Sequence, residues 1–481
     1  MERIFNFIDG QYMYLPECKY LDNYAPATGE IYALTPDSTE EDLELAIQAA
    51  ENAFPIWSKM TSIERSNILL KISALIEQNL EEFAKAESKD TGKPISLARK
   101  MDIPRSVENF KFFATAILHT HTPAHATEFG VINYTLRKPL GIVACISPWN
   151  LPLYLFTWKI APALASGNCV IGKPSEVTPF TAYMLGKICQ EAGLPKGVLN
   201  ILHGQGGKIG AKLVAHPKIK AVSFTGGTQT GAEVARLAAP QFKKISLELG
   251  GKNPTIIFAD ANYEKALENA VKSSFTNQGQ ICLCGSRIFI EKKIYEKFKT
   301  DFIEKIKLLK IGLPNDENTE FGAVVSLPHL QKVMTYIELA KAEGGTILIG
   351  GERIKMENEA KNGYYLAPTL IENLPFDCRT NQEEIFGAVV TIMPFETKEE
   401  VLMYANSVKY GLSASVWTSN LETSNFLAQH LDVGIVWINT WLLRDLRTSF
   451  GGMKHSGVGR EGGQDSLLFF TEPKNICIKM D

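Results

Sequence analysis

The chain has 481 residues, 45% of them hydrophobic and 21% charged, which is the composition of an ordinary soluble globular protein. That length is too great for one compact core, so we expect two or three domains. Lys and Arg total 50 against 53 Asp and Glu, a net charge of −3, which gives no reason to expect nucleic acid or a membrane surface as a partner.

The N-terminus and the cysteines indicate the cellular compartment. Met1–Gly10 lacks the basic and then apolar run of a signal peptide. The most apolar run, residues 140–156, is interrupted by two prolines and an asparagine, so it is not a membrane span. Eight cysteines are scattered thinly over the chain and make no disulfide framework. We therefore expect a reducing, cytoplasmic setting.

The first hundred residues are predicted to be helices that cover another layer. Ser38–Glu41 has the pattern of a helix-starting capping box, and Thr61–Glu64 repeats it. Apolar residues follow each box at helical spacing. Glycine and proline in Asp90–Pro94 end a helix, and Arg105 lies on the next helical stretch.

From residue 140 onward, short apolar runs alternate with predicted helices. The predicted buried strands are Gly141–Ile146, Asn168–Gly172, Val198–Leu202 and Ala221–Phe224. This alternation favours a parallel α/β sheet, which binds ligands at the carboxyl ends of its strands. The polar strand ends Pro148–Asn150, Lys173–Glu176 and Thr225–Gly227 are expected to line one crevice.

A second α/β unit is predicted after Gly250. It begins with a strand at Thr255–Phe258 and a helix near Asn262, and it continues to about Gly452. The tail, Phe469–Met480, alternates enough to form a terminal strand and is long enough to reach another subunit.

Two residues stand out as candidates for chemistry. Cys282 lies among small and polar residues with glycines on both sides, so it is a nucleophile if something lowers its pKa or removes its proton. The alternative is a small buried hydrophobe in a turn. Glu248 lies between Leu247 and Leu249, and desolvation would raise its pKa toward that of a general base working near neutrality. Its alternative is a structural carboxylate at a turn.

Two glycine-rich segments are candidates for binding a phosphate. Thr225–Gly231 follows a strand and opens a helix, whose N-terminal amides suit a pyrophosphate, so we prefer it to Gly204–Gly210. A tight turn remains the alternative for the latter. Lys173 and Glu176 would suit the hydroxyls of an adenosine ribose, and a carboxylate there favours NAD over NADP. A solvated charge pair is the alternative for these two residues.

No metal site is predicted from the histidines and cysteines. His119, His121 and His125 are close together, but no cysteine or acid completes the spacing of a site. Cys282 and Cys284 form a single Cys-x-Cys pair without a second pair, so zinc is not expected.

Six short strings occur in a recognisable order along the chain. They are Pro148–Pro152, Phe224–Gly227, Leu247–Lys252, Asn277–Cys282, Glu383–Gly387 and Phe450–Gly452. Together they resemble the NAD(P)-dependent aldehyde dehydrogenase superfamily over essentially the full chain. The resemblance implies an α/β fold with a Rossmann-type parallel-sheet cofactor domain, an α/β catalytic domain and a small β oligomerisation element. The implied boundaries are 1–118 and 138–249 for NAD binding, 250–452 for catalysis, and 119–137 and 463–481 for oligomerisation.

The resemblance also implies a role for individual residues. Cys282 would be the nucleophile with Cys284 a bystander, Glu248 the general base, and Asn150 the oxyanion-hole amide acting with the backbone N–H of Cys282. The cofactor contacts implied are Ser147, Pro148, Trp149, Lys173, Glu176, Gly226, Gly227, Leu249, Glu384 and Phe386. Trp158 and Phe450 are assigned to the substrate site. The implied mechanism is aldehyde oxidation through a thioester that Glu248-activated water hydrolyses.

Three strings resemble a narrower group, the dehydrogenases of 2-aminomuconic and 2-hydroxymuconic semialdehyde. These are Gln280–Cys284, Ile103–Phe110 and Asn439–Leu446, and the last two contain Arg105 and Arg444. Two guanidinium groups converging on a pocket would bind the carboxylate of such a substrate by paired hydrogen bonds. The alternative for each arginine is a surface salt bridge.

The function expected is therefore NAD-dependent oxidation of a small carboxylate-bearing semialdehyde by a homodimer or homotetramer. A broad or betaine-aldehyde type of dehydrogenase, with both arginines merely structural, is one alternative. A non-catalytic protein that retains the fold is another. Ser449 and Ala388 replace prolines usual in the family, and we expect both to loosen turns near the substrate mouth and the nicotinamide.

Overall fold

The computed structural model describes residues 2–14 and 19–480, so Cys18 lies outside the described residues. The strands in chain order are β1 Glu2–Arg3, β2 Asn6–Ile8, β3 Gln11–Met13, β4 Tyr20–Ala25, β5 Glu30–Pro36, β6 Ala124–Glu128, β7 Val131–Pro139, β8 Ile142–Ile146, β9 Cys169–Lys173, β10 Leu199–Ile201, β11 Ile219–Thr225, β12 Lys244–Glu248, β13 Asn253–Ile257, β14 Gly285–Glu291, β15 Thr346–Ile349, β16 Thr369–Glu372, β17 Val389–Phe395, β18 Tyr410–Gly411, β19 Ser413–Trp417, β20 Ile435–Ile438, β21 Met453–Lys454, β22 Gly457–Val458 and β23 Thr471–Lys479. The α-helices are α1 Glu40–Trp57, α2 Ser62–Gln78, α3 Leu80–Thr91, α4 Ile95–Leu97, α5 Ile103–Ala116, α6 Pro152–Ala165, α7 Phe180–Ala192, α8 Ala211–Ala215, α9 Thr228–Ala238, α10 Tyr263–Phe275, α11 Tyr295–Lys307, α12 Leu327–Ala342, α13 Arg379–Gln382, α14 Lys398–Asn406, α15 Leu421–His430 and α16 Gly463–Phe469.

An eight-stranded sheet holds the first of two α/β layers, in the order β22-β12-β11-β8-β9-β10-β2-β3. Strands β12, β11, β8, β9 and β10 are parallel, whereas β22 and β2 are antiparallel to their neighbours. The largest hydrophobic core lies between this sheet and its helices, including α6, whose residues are all buried. The parallel sheet predicted from the alternating strands is confirmed.

A seven-stranded sheet, in the order β15-β16-β17-β14-β13-β19-β20, holds the second layer. Only β15 in this sheet is antiparallel to its neighbour. The predicted strand near residue 255 is β13, and Asn262 caps α10 by accepting a hydrogen bond from Lys265 N. The second α/β unit predicted after Gly250 is therefore confirmed, although its predicted end near Gly452 remains a prediction.

A separate antiparallel sheet is formed by β6, β7 and β23. The predicted terminal strand is confirmed as β23, which pairs along β7 from Thr471 opposite Pro139 to Lys479 opposite Val131. One face of this sheet exposes Ile132, Tyr134 and Leu136 to solvent. The described helices include none long and apolar enough to cross a membrane.

Two expectations for the N-terminal region were wrong. Within residues 2–14 and 19–36 the structure has five strands rather than helices, and these strands are too short for sequence periodicity to detect. Strand β2 extends the eight-stranded sheet through Phe7 opposite Ile201. The first capping box is also one residue later than predicted, because Thr39 caps α1 with Asp42 as its partner. The box formed by Thr61 and Glu64 is as predicted.

Candidate active site

Two cavities meet at Cys282. The first, the arginine cavity, has a volume of about 380 Å³, and its lining includes Arg105, Tyr154, Trp158, Glu248, Cys282, Arg444 and Phe450. The second, the glycine cavity, has a volume of about 220 Å³, and its lining includes Pro148, Trp149, Asn150, Gly226, Gly227, Cys282, Glu384 and Phe386. Leu249 lines both cavities. Most residues predicted to form the site therefore line one of two cavities that share Cys282.

The backbone around Cys282 is held in an unusual conformation. Asn277 and Gln278 both have positive φ angles, 53° and 56°, in the turn that follows α10. The side chain of Asn253 donates to the carbonyl oxygens of Cys282 at 2.7 Å and of Cys284 at 2.9 Å. Backbone strain of this kind clusters at functional sites, and here surrounding contacts hold the turn in place.

The thiol of Cys282 is protonated near neutral pH. Burial, followed by the nearby Glu248 carboxyl, raises its pKa to about 12, and Arg444 opposes that shift. A nucleophilic role therefore requires a base to remove the proton rather than a resting thiolate. Cys284 is buried, with Sγ 3.9 Å from the carbonyl oxygen of Thr276, and it lines neither the arginine cavity nor the glycine cavity.

Glu248 ends β12 and is buried at the arginine cavity. Neither of its carboxylate oxygens has a hydrogen-bond partner within residues 2–14 and 19–480. Burial raises its pKa well above the usual range, the charge of Glu461 adds to the shift, and Lys159 and Arg444 oppose it. The rise expected from its apolar neighbours is confirmed, although Glu461 as a second cause was not foreseen.

Asn150 lies in the loop between β8 and α6 and is buried. Its Nδ2 donates to the carbonyl oxygen of Gln280 at 2.9 Å, two residues before Cys282. Its own carbonyl oxygen accepts from Lys93 Nζ and from Asn277 Nδ2, both at 3.0 Å. An amide nitrogen carries two protons, so one remains to serve a ligand atom.

Arg105 and Arg444 converge on the arginine cavity with aromatic rings between them. Arg105 lies over the rings of Tyr154 and Trp158, at 5.5 and 5.6 Å from their centroids. Arg444 lies 3.9 Å from the centroid of Phe450 and 5.4 Å from that of Trp158. Burial lowers the pKa of Arg105, and the like charge of Arg444 contributes to that shift. The two cations therefore face one space, and among the described residues neither forms an ion pair with an acidic side chain.

Two donor atoms of the half-buried Arg105 side chain are enclosed without an acceptor in the described part of the chain. Its Nε and Nη2 atoms have no hydrogen-bond partner among the residues that the structure describes. Unpaired buried donors are costly, so an anionic group in the cavity would satisfy both. The alternative of a surface salt bridge does not describe this side chain.

The glycine cavity has an aromatic and acidic wall. Trp149 packs edge-on against Phe386, whose φ of 63° is in the left-handed region. Glu384 accepts from Gly251 N at 2.8 Å and is close enough to Gly250 that a Cβ there would clash with its carboxylate. Burial raises the pKa of Glu384. Gly227 is the N-cap of α9 and has open space beside it, so the helix amides there are accessible.

Lys173 and Glu176 lie at the carboxyl end of β9, outside both cavities. Lys173 Nζ donates to Glu176 Oε2 at 3.0 Å, and Gly206 N donates to Glu176 Oε1 at 3.1 Å. The nearby charge of Lys173 lowers the pKa of Glu176 although burial opposes it. The Gly204–Gly210 segment is therefore in contact with the predicted ribose acid. Ser147 is buried, and its Oγ has no hydrogen-bond partner in the described part of the chain.

The two residues that replace family prolines both make hydrogen bonds. Ser449 Oγ donates to the carboxylate of Asp465. Ala388 is fully buried, and its carbonyl oxygen accepts from Thr369 N at 2.8 Å. Looser turns at these positions stay a prediction.

Several residues of the site were not found by sequence reasoning. Tyr154 and Glu461 line the arginine cavity, and His329 and Lys332 line the glycine cavity. Glu461 lies far along the chain from Glu248 and belongs to none of the strings, so the sequence carried no signal for it. Tyr154 lies two residues after Pro148–Pro152, so a signal for it was present. Within residues 2–14 and 19–480 no three His, Cys, Asp or Glu side chains group as metal ligands would.

Comparison with known proteins identifies the family. The model of the aldehyde dehydrogenase family matches residues 15–476. The chain belongs to the aldehyde dehydrogenase family. The 2-aminomuconic semialdehyde dehydrogenase of Bos taurus is 50% identical over 477 residues, covering 98% of each chain. The 2-hydroxymuconic semialdehyde dehydrogenase of Pseudomonas sp. (strain CF600) is 43% identical over 486 residues, covering 100% of each.

A solved structure of the family agrees with the fold of this aldehyde dehydrogenase. The aldehyde dehydrogenase from Bacillus cereus, determined as its NAD+ complex, superimposes with a TM-score of 0.97 at 38% identity. The match covers 100% of this chain and 97% of that one. The predicted aldehyde dehydrogenase-like fold is therefore confirmed.

Proposed function

We propose that this aldehyde dehydrogenase oxidises a carboxylate-bearing semialdehyde, of the 2-aminomuconic or 2-hydroxymuconic type, to the carboxylic acid with NAD. The observation that carries the proposal is the arginine cavity, where two guanidinium groups share a 380 Å³ space with Cys282. A planar carboxylate matches the fork of an arginine, and Arg105 has buried donors to offer it. The names of the relatives support the same substrate class.

The residues of the glycine cavity fit a dinucleotide. Thr225 presents to this cavity a buried hydroxyl without a hydrogen-bond partner among the described residues, and Ser147, the residue before Pro148, has another. The N-terminus of α9 at Gly227 suits a pyrophosphate, and Glu384 with Phe386 suits the nicotinamide ribose. Lys173 and Glu176 would hold the adenosine ribose, and the carboxylate disfavours a 2′-phosphate. When bound, NAD supplies the acceptor for the hydride of the aldehyde.

The protein groups support nucleophilic catalysis in four steps. Loss of the Cys282 proton to a base gives the thiolate, which attacks the aldehyde carbon and forms a carbon–sulfur bond. The free proton of Asn150 Nδ2 and the backbone N–H of Cys282 would stabilise the resulting oxyanion. Departure of the hydride leaves a thioester on Cys282. Glu248 then removes a proton from water, which attacks the thioester, breaks the carbon–sulfur bond and releases the acid.

A betaine-aldehyde activity is not supported by the cavity. Its quaternary ammonium would enter a space that already contains Arg105 and Arg444, and like charges repel. Trp158 and Phe450, which would otherwise attract such a cation, face the two guanidinium groups instead.

NADH formation measured with three substrates tests the proposal. We expect kcat/KM for 2-hydroxymuconic semialdehyde to exceed that for an aliphatic aldehyde of similar length and for betaine aldehyde by orders of magnitude. Similar kcat/KM values for the three substrates would leave the family assignment intact but contradict the semialdehyde as the preferred substrate. No NADH with any aldehyde would favour a non-catalytic protein.

We also propose that the chain forms a homodimer or homotetramer and works in the cytoplasm. The exposed Ile132, Tyr134 and Leu136 on the three-stranded sheet support association, because contiguous apolar surface marks interfaces. The scattered cysteines support a reducing compartment. Light scattering coupled to size-exclusion chromatography would give the subunit number, and a monomer would contradict the first proposal.

A further inference from the structure

A buried ion pair lies directly behind the loop that carries Asn150. The side chains of Lys93 and Asp102 are both fully buried, and Lys93 Nζ donates to Asp102 Oδ2. The same ammonium donates to the carbonyl oxygen of Asn150 at 3.0 Å. Neither residue lines the arginine cavity or the glycine cavity, so neither touches a ligand there.

Local structure explains how a lysine comes to lie inside the protein. Helix α3 ends at Thr91, and Gly92 caps its C-terminus with a φ of 77° that turns the chain inward. A side chain at Gly92 would clash with the carbonyl oxygen of Ala323, so the turn needs glycine. Ser88 Oγ then donates to the carbonyl oxygen of Lys93 at 2.7 Å and fixes its backbone.

The acidic partner is anchored to rigid structure. Asp102 ends a π-helical turn, Ala98–Asp102, and the next residue begins α5. Ser106 Oγ donates to the carbonyl oxygen of Asp102 at 2.8 Å. A π-helical turn within a helix often marks a functional site. The ammonium of Lys93 thus pairs with the residue directly before α5, the helix that carries Arg105.

Stability alone gives a poor account of this pair. The cost of removing two charges from water offsets most of their attraction, so a buried pair is weak evidence for a contribution to stability. Burial indeed raises the pKa of Asp102, although the ammonium of Lys93 opposes that shift. A positioning role gives a better account of the pair. When one carboxylate fixes the ammonium, the remaining protons of the ammonium are directed at one acceptor.

The acceptor is the backbone carbonyl group of Asn150. Its carbonyl oxygen receives two donors, Lys93 Nζ and Asn277 Nδ2, from segments distant in sequence. With that carbonyl held, rotation of the Asn150 backbone is restricted, and the side-chain amide stays directed at Gln280 and the Cys282 turn. A displacement of about 1 Å in such a donor can lower a rate about 100-fold.

We propose that Lys93, paired with Asp102, is a positioning residue that holds the oxyanion-hole amide of Asn150 in place for catalysis. The inference rests on the proposed role of Asn150. It assigns a function in the reaction to an ion pair that lies outside both cavities.

A double substitution tests it by removing the charge of Lys93 together with that of its ion-pair partner. Lys93→Met with Asp102→Asn removes both charges at nearly constant volume, whereas Lys93→Met alone would leave Asp102 alone in the interior. We expect kcat for aldehyde oxidation to fall about 10-fold or more, because the amide is no longer held. Alkylation of the Cys282 thiol by iodoacetamide should stay within about 2-fold of the wild-type rate, since attack on that reagent creates no oxyanion.

Lys243→Met is the matched control. Lys243 is also a buried lysine whose Nζ donates to backbone carbonyl oxygens, those of Val214 and His216, and it lines neither cavity. We expect its kcat to equal that of the wild type. A loss of kcat in this control equal to that of the double variant would overturn the proposal, because removal of any buried lysine would then suffice.

A double-mutant cycle with Asn150→Ala separates positioning from a general structural role. If Lys93 acts through Asn150, the double substitution lowers kcat less than about 2-fold when Asn150 is already alanine. An equal loss in both backgrounds, or a double variant with wild-type kcat, would overturn the proposal. Asn150→Ala with unchanged kcat would instead contradict the oxyanion role on which the inference rests.

Discussion

Arg444 Nη1 donates a hydrogen bond to the phenolic oxygen of Tyr154 at 3.1 Å, across 290 residues of chain. The ring of the same tyrosine lies beneath Arg105. Tyr154 therefore accepts a hydrogen bond from one guanidinium and makes a cation–π contact with the other. These two contacts set the separation of two cations that would otherwise repel. A substrate carboxylate would complete this arrangement as the missing anion.

Arg444→Ala should raise KM for 2-hydroxymuconic semialdehyde about 10- to 100-fold, because a hydrogen bond to a charged group contributes roughly 1.5–3 kcal/mol. KM for an uncharged aldehyde of similar length should change little. Arg447→Ala is the matched control, since Arg447 is exposed and pairs with Asp445 rather than lining the cavity. Equal changes for both substrates would show that Arg444 does not bind a carboxylate.

Cys282→Ser should lower kcat by roughly 10³-fold or more, as the loss of a nucleophile does. Cys284→Ser should keep most activity, because Cys284 lines neither the arginine cavity nor the glycine cavity. NADH absorbance under saturating substrate measures both. The reverse result would mean that Cys284 is the nucleophile.

The pH dependence of kcat/KM should place its ascending limb above the ordinary carboxyl range. Glu248 acts as a base only when ionised, and burial raises its pKa, so the active fraction grows as pH rises. The Cys282 thiol, with a pKa of about 12, shifts activity in the same direction. A profile flat from pH 5 upward would show that no group with a raised pKa limits the reaction.

Glu461→Gln should move that limb to lower pH. The charge of Glu461 raises the pKa of Glu248, so its removal lowers that pKa, and the freed ammonium of Lys159 acts in the same direction. Glu472→Gln, an exposed acid next to Lys244, should leave the profile unchanged. A shift of the limb to higher pH would contradict the electrostatic assignment.

Glu176→Ala should shift cofactor preference from NAD toward NADP. The carboxylate would disfavour a 2′-phosphate, whereas Lys173, which lies 3.0 Å from it, would attract one once the acid is gone. We expect the ratio of kcat/KM for NAD to that for NADP to fall about 10-fold or more. Glu191→Ala, which removes an exposed acid on α7, serves as the control, and an unchanged ratio in Glu176→Ala would reject the ribose contact.

Local patterns predicted the central strands well. The strands at residues 142–146, 169–173 and 219–225 are each within two residues of their predicted bounds at both ends. Their apolar runs are buried on both faces, as parallel strands require, so composition alone reveals them. Cys282, Glu248 and Asn150 were found because each belongs to a short contiguous string.

Contacts between distant segments could not be predicted in this way. Glu461 and Lys93 act on site residues through space, and neither belongs to one of the six strings. The N-terminal strands were missed for a related reason, since β2 and β3 have three residues each and gain their partners only from the folded sheet. The elevated pKa of Cys282 likewise depends on an enclosure that only tertiary packing creates.

The pairing of β22 with β12 can form only late in synthesis of the chain. Strand β22 supplies the antiparallel neighbour of β12, with Gly457 opposite Glu248, although the two strands are separated by the entire seven-stranded sheet in sequence. While synthesis proceeds through residues 249–456, β12 is an edge strand with unpaired backbone groups. A chain interrupted within that interval would present an unpaired strand edge that ends at Glu248, and in the finished chain β22 pairs with Leu247 and Glu248 at that end of the strand.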